Sequence, residues 1–176
     1  MSNFNLNDSI KILENTPAVL RAFLSSLPES WTKKNEGGES WSPFDIVGHL
    51  VHCEKTDWIA RARTILDFGR EQVFAPVDRF AQFKDSAGKT LDELLDEFAA
   101  LRSQNIETLK EMNLTEEDLR REGIHPEFGP VTLEQLLSTW VVHDLGHIRQ
   151  TARVLAKNYR EEIGPWEKYL PIVREN

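Results

Sequence analysis

The chain has 176 residues, which is enough for one domain with a full hydrophobic core that needs no disulfide or structural metal. Lysine and arginine total 21 against 29 aspartates and glutamates, so the net charge is −8, which disfavours nucleic acid and anionic membranes as partners. The single cysteine, Cys53, excludes an intrachain disulfide and suits a reducing compartment. With no signal-peptide pattern and no apolar run long enough for a membrane span, we expect a cytoplasmic protein.

The first amphipathic segment covers residues 8–27, where apolar residues recur at helical spacing. Proline lacks the backbone N–H that continues a helix, so the pair Thr16-Pro17 predicts a kink or a restart inside this segment. Pro28 closes the helix, and a loop over residues 28–40 follows.

The second helix has a clear start signal. Ser42 is placed to cap it, Pro43 to occupy its first position, and Asp45 to complete a capping box. We expect this helix to continue to about Phe68 and to carry His49 in its second turn.

A connector over residues 69–89 separates the second helix from the third. It shows no clear period, and so long a connector is uncommon in a compact domain unless it crosses the bundle or covers a site. The pattern Thr90-Leu-Asp-Glu93 is a capping box that opens the third helix, which should end near Met112.

The fourth helix opens with another capping box, Thr132-Leu-Glu-Gln135, and should continue to about Asn158. It carries His143 and His147. The tail over residues 166–173 is apolar enough that we expect it to pack back on the body of the protein.

Together these segments predict an all-α four-helix bundle as a single domain over residues 1–176, because no strand-like alternation and no internal repeat competes with them. The connector between the second and third helices is long rather than a tight turn. We therefore expect those two helices to run parallel, in an up-down-down-up arrangement with a long crossover.

The pair His143 and His147 indicates a metal site. Side chains four residues apart project from one face of a helix, with Cβ atoms roughly 5–6 Å apart, so both imidazoles can reach one ion. A single helical histidine is more often a capping or half-buried residue, but a pair on an apolar stripe needs polar partners. A shared cation and a hydrogen-bond network are the two explanations. With His49 from a facing helix, three imidazoles would hold a divalent ion and leave a coordination position open.

Two segments carry a resemblance to a known family. The stretch from Trp41-Ser42-Pro43 through His49 to Glu54, and the stretch His143-Asp-Leu-Gly-His147, are similar to the signature segments of the DinB-like superfamily. The resemblance covers nearly the whole chain. It implies a four-helix bundle of the up-down-down-up type, commonly a homodimer, with a nickel- or zinc-type ion held by residues that match His49, His143 and His147.

The resemblance implies a metal-dependent enzyme that acts on a small molecule. Members of the superfamily are described as thiol S-transferases that use low-molecular-weight thiols, as a thiol-dependent isomerase, or as metal-dependent hydrolases. The ion would activate a water or a thiol as the nucleophile. The alternative is a non-catalytic protein in which an ion, or only a hydrogen-bond network, holds the helices together in a binding or stress-related role.

Several other polar residues are weaker candidates. His52 could flank the same pocket, and Cys53 could supply a fourth ligand, although a helical cysteine is usually a small buried hydrophobe. Glu54 and Asp57 could act as acid or base, or could simply form salt bridges. Asp144 points about 100° away from His143 on the helix and is a poor partner for it.

The remaining candidates are a histidine and three tryptophans. His125 lies before a proline in a predicted loop, which suggests an incidental position. Trp58, Trp140 and Trp166 are interpreted first as core residues, although Trp140 lies one turn before His143 and could line the pocket.

Overall fold

The computed structural model describes residues 4–76, 78 and 80–174. The long helices are α1 (Leu6–Leu24), α3 (Pro43–Thr56), α4 (Trp58–Phe68), α6 (Leu91–Glu111) and α8 (Leu133–Lys157). The short elements are α2 (Glu29–Thr32), α5 (Ala81–Ser86), α7 (Glu116–Leu119), β1 (Glu122–His125) and β2 (Gly129–Thr132), with 3-10 helices at Gly69–Glu71, Gly164–Tyr169 and Pro171–Val173. Among the described residues, no helix is both long enough and apolar enough to cross a membrane.

Contacts between helices define their directions. Gly48 and Glu54 of α3 lie against Leu94 and Arg102 of α6, in the same chain order, so these two helices run parallel. Helix α1 runs antiparallel to α6, since its ion pairs join Arg21 to Asp96 and Glu14 to Lys110.

Helix α8 completes the bundle. It runs antiparallel to α3, because His49 contacts His143 while Glu54, further along α3, accepts a hydrogen bond from Trp140, which comes earlier in α8. The predicted up-down-down-up bundle with a long crossover is confirmed.

The capping boxes predicted at Ser42, Thr90 and Thr132 all form, with the side chain of each accepting a hydrogen bond from the backbone N–H three residues later. These caps satisfy N–H groups that the first turn leaves without partners. They also fix where α3 and α8 begin, and hence which face of each helix carries its histidines.

Two helix boundaries differ from the predictions. Helix α1 is continuous through Pro17 rather than restarted there, and it begins at Leu6 and ends at Leu24. The predicted second helix is divided into α3 and α4 at Asp57, whose backbone is distorted from ideal helical geometry, with φ −110° and ψ −77°.

A two-stranded antiparallel hairpin is the main feature that the sequence prediction missed. Strand β1 pairs with β2 in a register that joins Glu122 to Thr132 and His125 to Gly129. The connector before α5 adds to this hairpin, because the backbone N–H of Phe74 donates to the carbonyl of Ile124. The hairpin leads directly into α8.

The predicted packing of the tail is only partly correct. Val173 is buried, but Trp166 is 67% exposed and is not a core residue. By contrast, Trp58 and Trp140 are both buried, as expected.

Candidate metal centre

Three imidazole rings meet between α3 and α8. The Nε2 atom of His143 lies 3.1 Å from Nε2 of His49 and 3.2 Å from Nε2 of His147. His143 and His147 come from successive turns of one helix, and His49 comes from the antiparallel helix beside it. The structure therefore brings together the three histidines that the sequence selects.

The protonation of these rings favours a shared cation over a hydrogen-bond network. Burial, together with the neighbouring histidines, lowers the pKa of His143 to about 2, so this ring is neutral at neutral pH. The Nδ1 atom of His147 lies 2.9 Å from the side-chain amide oxygen Oε1 of Gln150, which places the proton of a neutral ring on Nδ1 and a lone pair on Nε2. A single proton on Nε2 of His143 could satisfy only one of its two Nε2 neighbours, whereas a cation satisfies all three nitrogens.

The distances also fit an ion. With metal–nitrogen bonds of about 2.0–2.1 Å in tetrahedral geometry, neighbouring ligand nitrogens lie about 3.4 Å apart. The separations of 3.1 and 3.2 Å between Nε2 atoms are close to that value. Among the described residues, the group of three potential ligands whose donor atoms all lie within 4.8 Å of one another is His49, Cys53 and His143, so Cys53 competes with His147 as the third ligand.

Cys53 lies one turn after His49 on α3, and its Sγ is 3.5 Å from Nε2 of His49. Burial, with the nearby carboxylates Asp57 and Glu54, raises the pKa of the Cys53 thiol well above its ordinary value. The thiol is therefore protonated in the metal-free protein, and its use as a ligand would require loss of that proton in a buried place.

Aromatic rings enclose the histidines. Trp41 stacks on His147 with ring centroids 6.1 Å apart and also packs against His49 at 4.7 Å. Trp58 meets the edge of His143 at 5.1 Å. Trp140 is a core residue, the first of the two interpretations given to it, and its indole N–H donates to Glu54.

A buried ionic network lies under the histidine cluster. The guanidinium of Arg102, which is 1% exposed, donates to both carboxylate oxygens of Asp144 and to Glu54, at 2.6–3.1 Å. The carboxylates outweigh the cost of burial and raise the pKa of Arg102, so the residue stays charged. Asp144 indeed faces away from His143, as the helical geometry predicts, and Glu54 forms a salt bridge, one of the roles expected from the sequence, with the buried Arg102.

The same arginine explains why α1 continues through Pro17. The missing N–H of Pro17 leaves the carbonyl of Leu13 without its helical partner. Arg102 donates to that carbonyl at 2.8 Å. The buried network therefore joins α1, α3, α6 and α8.

Two other candidate residues, His52 and Asp57, pair with residues outside the histidine cluster. His52 faces α5, where its Nδ1 lies 3.3 Å from Asp85, so it does not join the cluster. Asp57 pairs with Arg61 at 2.7 Å, and burial raises the pKa of its carboxyl group while Arg61 opposes the shift.

A cavity of about 240 Å³ lies beside His143, between α4, the hairpin and the start of α8. Trp58, Phe74, His125 and Phe128 are among its lining residues. His125, which the sequence analysis took as incidental, therefore lies at the cavity. The sequence signal for this hairpin was the glycine at position 129 after the short stretch 126–128. In the structure Gly129 has a φ of +74°, a conformation that favours glycine.

The fold and the cluster define a class of protein, the four-helix bundles that carry a histidine cluster between antiparallel helices. The family model of the DinB superfamily matches residues 12–151, and the chain belongs to that superfamily. No functionally curated protein matches the chain in sequence.

Two solved structures are similar to this one. YfiT from Bacillus subtilis, described as a probable metal-dependent hydrolase with an unusual four-helix bundle topology, has a TM-score of 0.75 and 23% identity, over 92% of this chain and 90% of that chain. TT2238, described as a four-helix bundle protein, has a TM-score of 0.50 and 17% identity, over 82% of this chain and 96% of that one. At these identities the likeness concerns the fold.

Proposed function

We propose that this protein is a metal-dependent enzyme in which His49, His143 and His147 hold one divalent ion, nickel or zinc. The reaction is hydrolysis or the transfer of a low-molecular-weight thiol to a small electrophile. The approach of Nε2 of His143 to Nε2 of His49 and of His147, at 3.1 and 3.2 Å, carries the proposal. The description of YfiT as a probable metal-dependent hydrolase supports the same class of activity.

Residues around the cluster would have distinct roles in the reaction. When bound, a divalent ion supplies the positive charge that makes a water or a thiol nucleophilic at neutral pH. Trp41 and Trp58 shield the cluster from bulk solvent, and Gln150 fixes the orientation of the His147 ring through Nδ1. The cavity beside His143 is where the second reactant would lie.

Turnover tests the proposal. The metal-loaded protein should hydrolyse members of an ester or amide panel, or should join a low-molecular-weight thiol to a chlorinated electrophile. A chelator should abolish that activity and added nickel or zinc should restore it. Activity that survives complete removal of the metal would contradict the proposal.

Metal binding by two variants distinguishes His147 from Cys53 as the third ligand, beside His49 and His143. We expect His147→Ala to lower metal affinity by at least about tenfold, since removal of one imidazole of three is costly. Cys53→Ser should bind the metal nearly as tightly as the wild type, because the buried thiol resists ionisation. Isothermal titration of the metal-free proteins measures both, and the reverse order of affinities would assign Cys53 as the ligand.

The alternative is a protein in which the ion only holds the helices together. The buried network of Arg102 already joins α1, α3, α6 and α8, which favours a fold that does not depend on an ion. Circular dichroism before and after chelation distinguishes the two: the enzyme proposal expects the helical signal to persist. Unfolding on chelation, with no turnover in any panel, would favour the structural role.

A second copy of the chain is the proposed macromolecular partner. Apolar side chains are exposed on the neighbouring helices α1 and α8, namely Phe23, Val142 and Leu145. Pairing of two copies would bury such side chains. Light scattering at several concentrations would give twice the mass of the 20.3 kDa chain for a homodimer.

A further inference from the structure

The cavity beside His143 has a lining that selects its occupant. We propose that it binds an uncharged small molecule that carries a flat aromatic group, and that Phe128 and His125 of the hairpin are the residues that select it. This inference rests on the proposed function for what happens to the bound molecule, since His143 lies at the cavity wall.

The charges at the cavity cancel. Arg61 and Asp57 both line it, and they pair with each other at 2.7 Å, with the guanidinium also 5.3 Å from the centre of the Phe74 ring. The ion pair leaves no net charge at this part of the wall to attract a charged ligand. A charged ligand would lose its hydration without a free counter-charge, whereas a neutral ligand loses little.

Aromatic side chains dominate the wall. Trp58, Phe74 and Phe128 line the cavity from three different elements, namely α4, the connector and the hairpin loop. Phe128 is 70% exposed, although burial of a phenyl ring is favourable. It stacks on the His125 ring at 4.4 Å with the two planes within 11° of parallel, which leaves a flat apolar surface at the rim of the cavity.

His125 supplies one polar group with a fixed direction. Its Nδ1 accepts hydrogen bonds from the backbone N–H groups of Glu127 and Phe128, at 3.2 and 3.3 Å. The proton of the neutral ring must therefore be on Nε2. Across the described part of the chain, Nε2 of His125 has no protein acceptor, so it can donate to a carbonyl or similar oxygen of a ligand.

Three probes of nearly the same shape test the charge requirement: benzamide is neutral, benzoate is an anion and benzamidine is a cation. They are titrated into the metal-free protein, and binding is followed by the amide shifts of the hairpin and of the start of α8 in ¹H–¹⁵N spectra. We expect benzamide to bind at least about tenfold more tightly than either charged probe, because only it enters without a net charge. Cyclohexanecarboxamide, which has the same polar group without a flat ring, should bind more weakly than benzamide.

Variants assign the binding to the hairpin. Phe128→Ala should weaken benzamide binding by roughly three- to tenfold, the range expected for loss of one aromatic stacking surface. Phe80→Ala, at a phenylalanine that is 77% exposed and does not line the cavity, is the matched control and should change nothing. His125→Asn keeps an acceptor for the backbone N–H groups of the loop but removes Nε2–H, and it should also weaken binding.

The proposal fails if benzamide gives no saturable shifts, if the charged probes bind as tightly, or if Phe128→Ala and Phe80→Ala behave alike. Because these titrations use metal-free protein, their outcome does not depend on whether the histidines hold an ion. A separate metal titration reports on that question. Metal binding without benzamide binding would overturn the cavity assignment alone, and benzamide binding without metal binding would overturn the proposed function alone.

Discussion

Neighbouring residues on α3 and α8 face two different environments. His143 lies in the histidine cluster, while Asp144, the next residue, pairs with buried Arg102. Cys53 and Glu54 divide in the same way, with Cys53 toward His49 and Glu54 toward Arg102. Successive residues of a helix point about 100° apart, so one pair of helices can build both the candidate site and its support.

Loss of the buried arginine should be costly. Arg102→Met leaves Glu54 and Asp144 as two buried carboxylates without a counter-charge, and we expect it to lower the free energy of unfolding by about 3–5 kcal/mol. Lys110→Met, which breaks the exposed ion pair with Glu14, should cost less than about 1 kcal/mol. Urea denaturation of both variants checks the difference, and equal costs would contradict the role given to the network.

At the scale of elements, the hairpin depends on a close approach at Gly123. A Cβ atom on Gly123 would lie 2.7 Å from the ring of Phe74 and 2.8 Å from the side chain of Ile65. These neighbours belong to the connector and to α4, so the glycine allows the hairpin to pack against both.

Two glycine-to-alanine substitutions should therefore have opposite effects. Gly123→Ala should destabilise the protein by about 1–3 kcal/mol, because the added methyl group overpacks the contact. Gly146→Ala, inside α8 with no atom within 4 Å of the new Cβ, should stabilise it by about 0.5–1 kcal/mol. Thermal unfolding measures both signs, and a stabilised Gly123→Ala would refute the packing described for the hairpin.

Local signals explain which elements could be predicted. The capping boxes at Ser42, Thr90 and Thr132 involve residues three apart, so three helix starts could be predicted from the sequence alone. The spacing of the two histidines on α8 is equally local, and it predicted that they share a face. The continuity of α1 at Pro17 could not be predicted, because it depends on Arg102, which lies 85 residues further along the chain. The hairpin has strands of four residues, too short for a clear alternating pattern.

At the scale of the whole molecule, ion pairs of Glu97 on α6 stabilise the parallel packing of α3 and α6 at the protein surface. This carboxylate pairs with Lys55 of α3 at 2.6 Å and with Lys89, before α6, at 2.7 Å. Hydrogen bonds from both lysines lower the pKa of Glu97. The carboxylate therefore binds fewer protons in the folded state than in the unfolded state at mildly acidic pH.

The free energy of unfolding should depend on pH through Glu97. A lowered folded-state pKa means that the stabilisation by Glu97 is present above the unfolded pKa, near 4.5, and is lost as the pH falls through the folded value. Glu97→Gln should lower stability at pH 7 by less than about 1 kcal/mol, and this effect should shrink as the pH falls below about 4.5. Denaturation at several pH values measures the difference, and a larger effect at pH 3 than at pH 7 would contradict the assignment.

The central claim is that His49, His143 and His147 hold a divalent ion, and metal content tests it most directly. The wild type, His147→Ala and the control His52→Ala, which removes a buried histidine that faces α5 instead, are loaded with nickel or zinc, dialysed and measured by elemental analysis. We predict about one ion per chain in the wild type and in His52→Ala, and little in His147→Ala. Equal metal content in all three proteins would contradict the account.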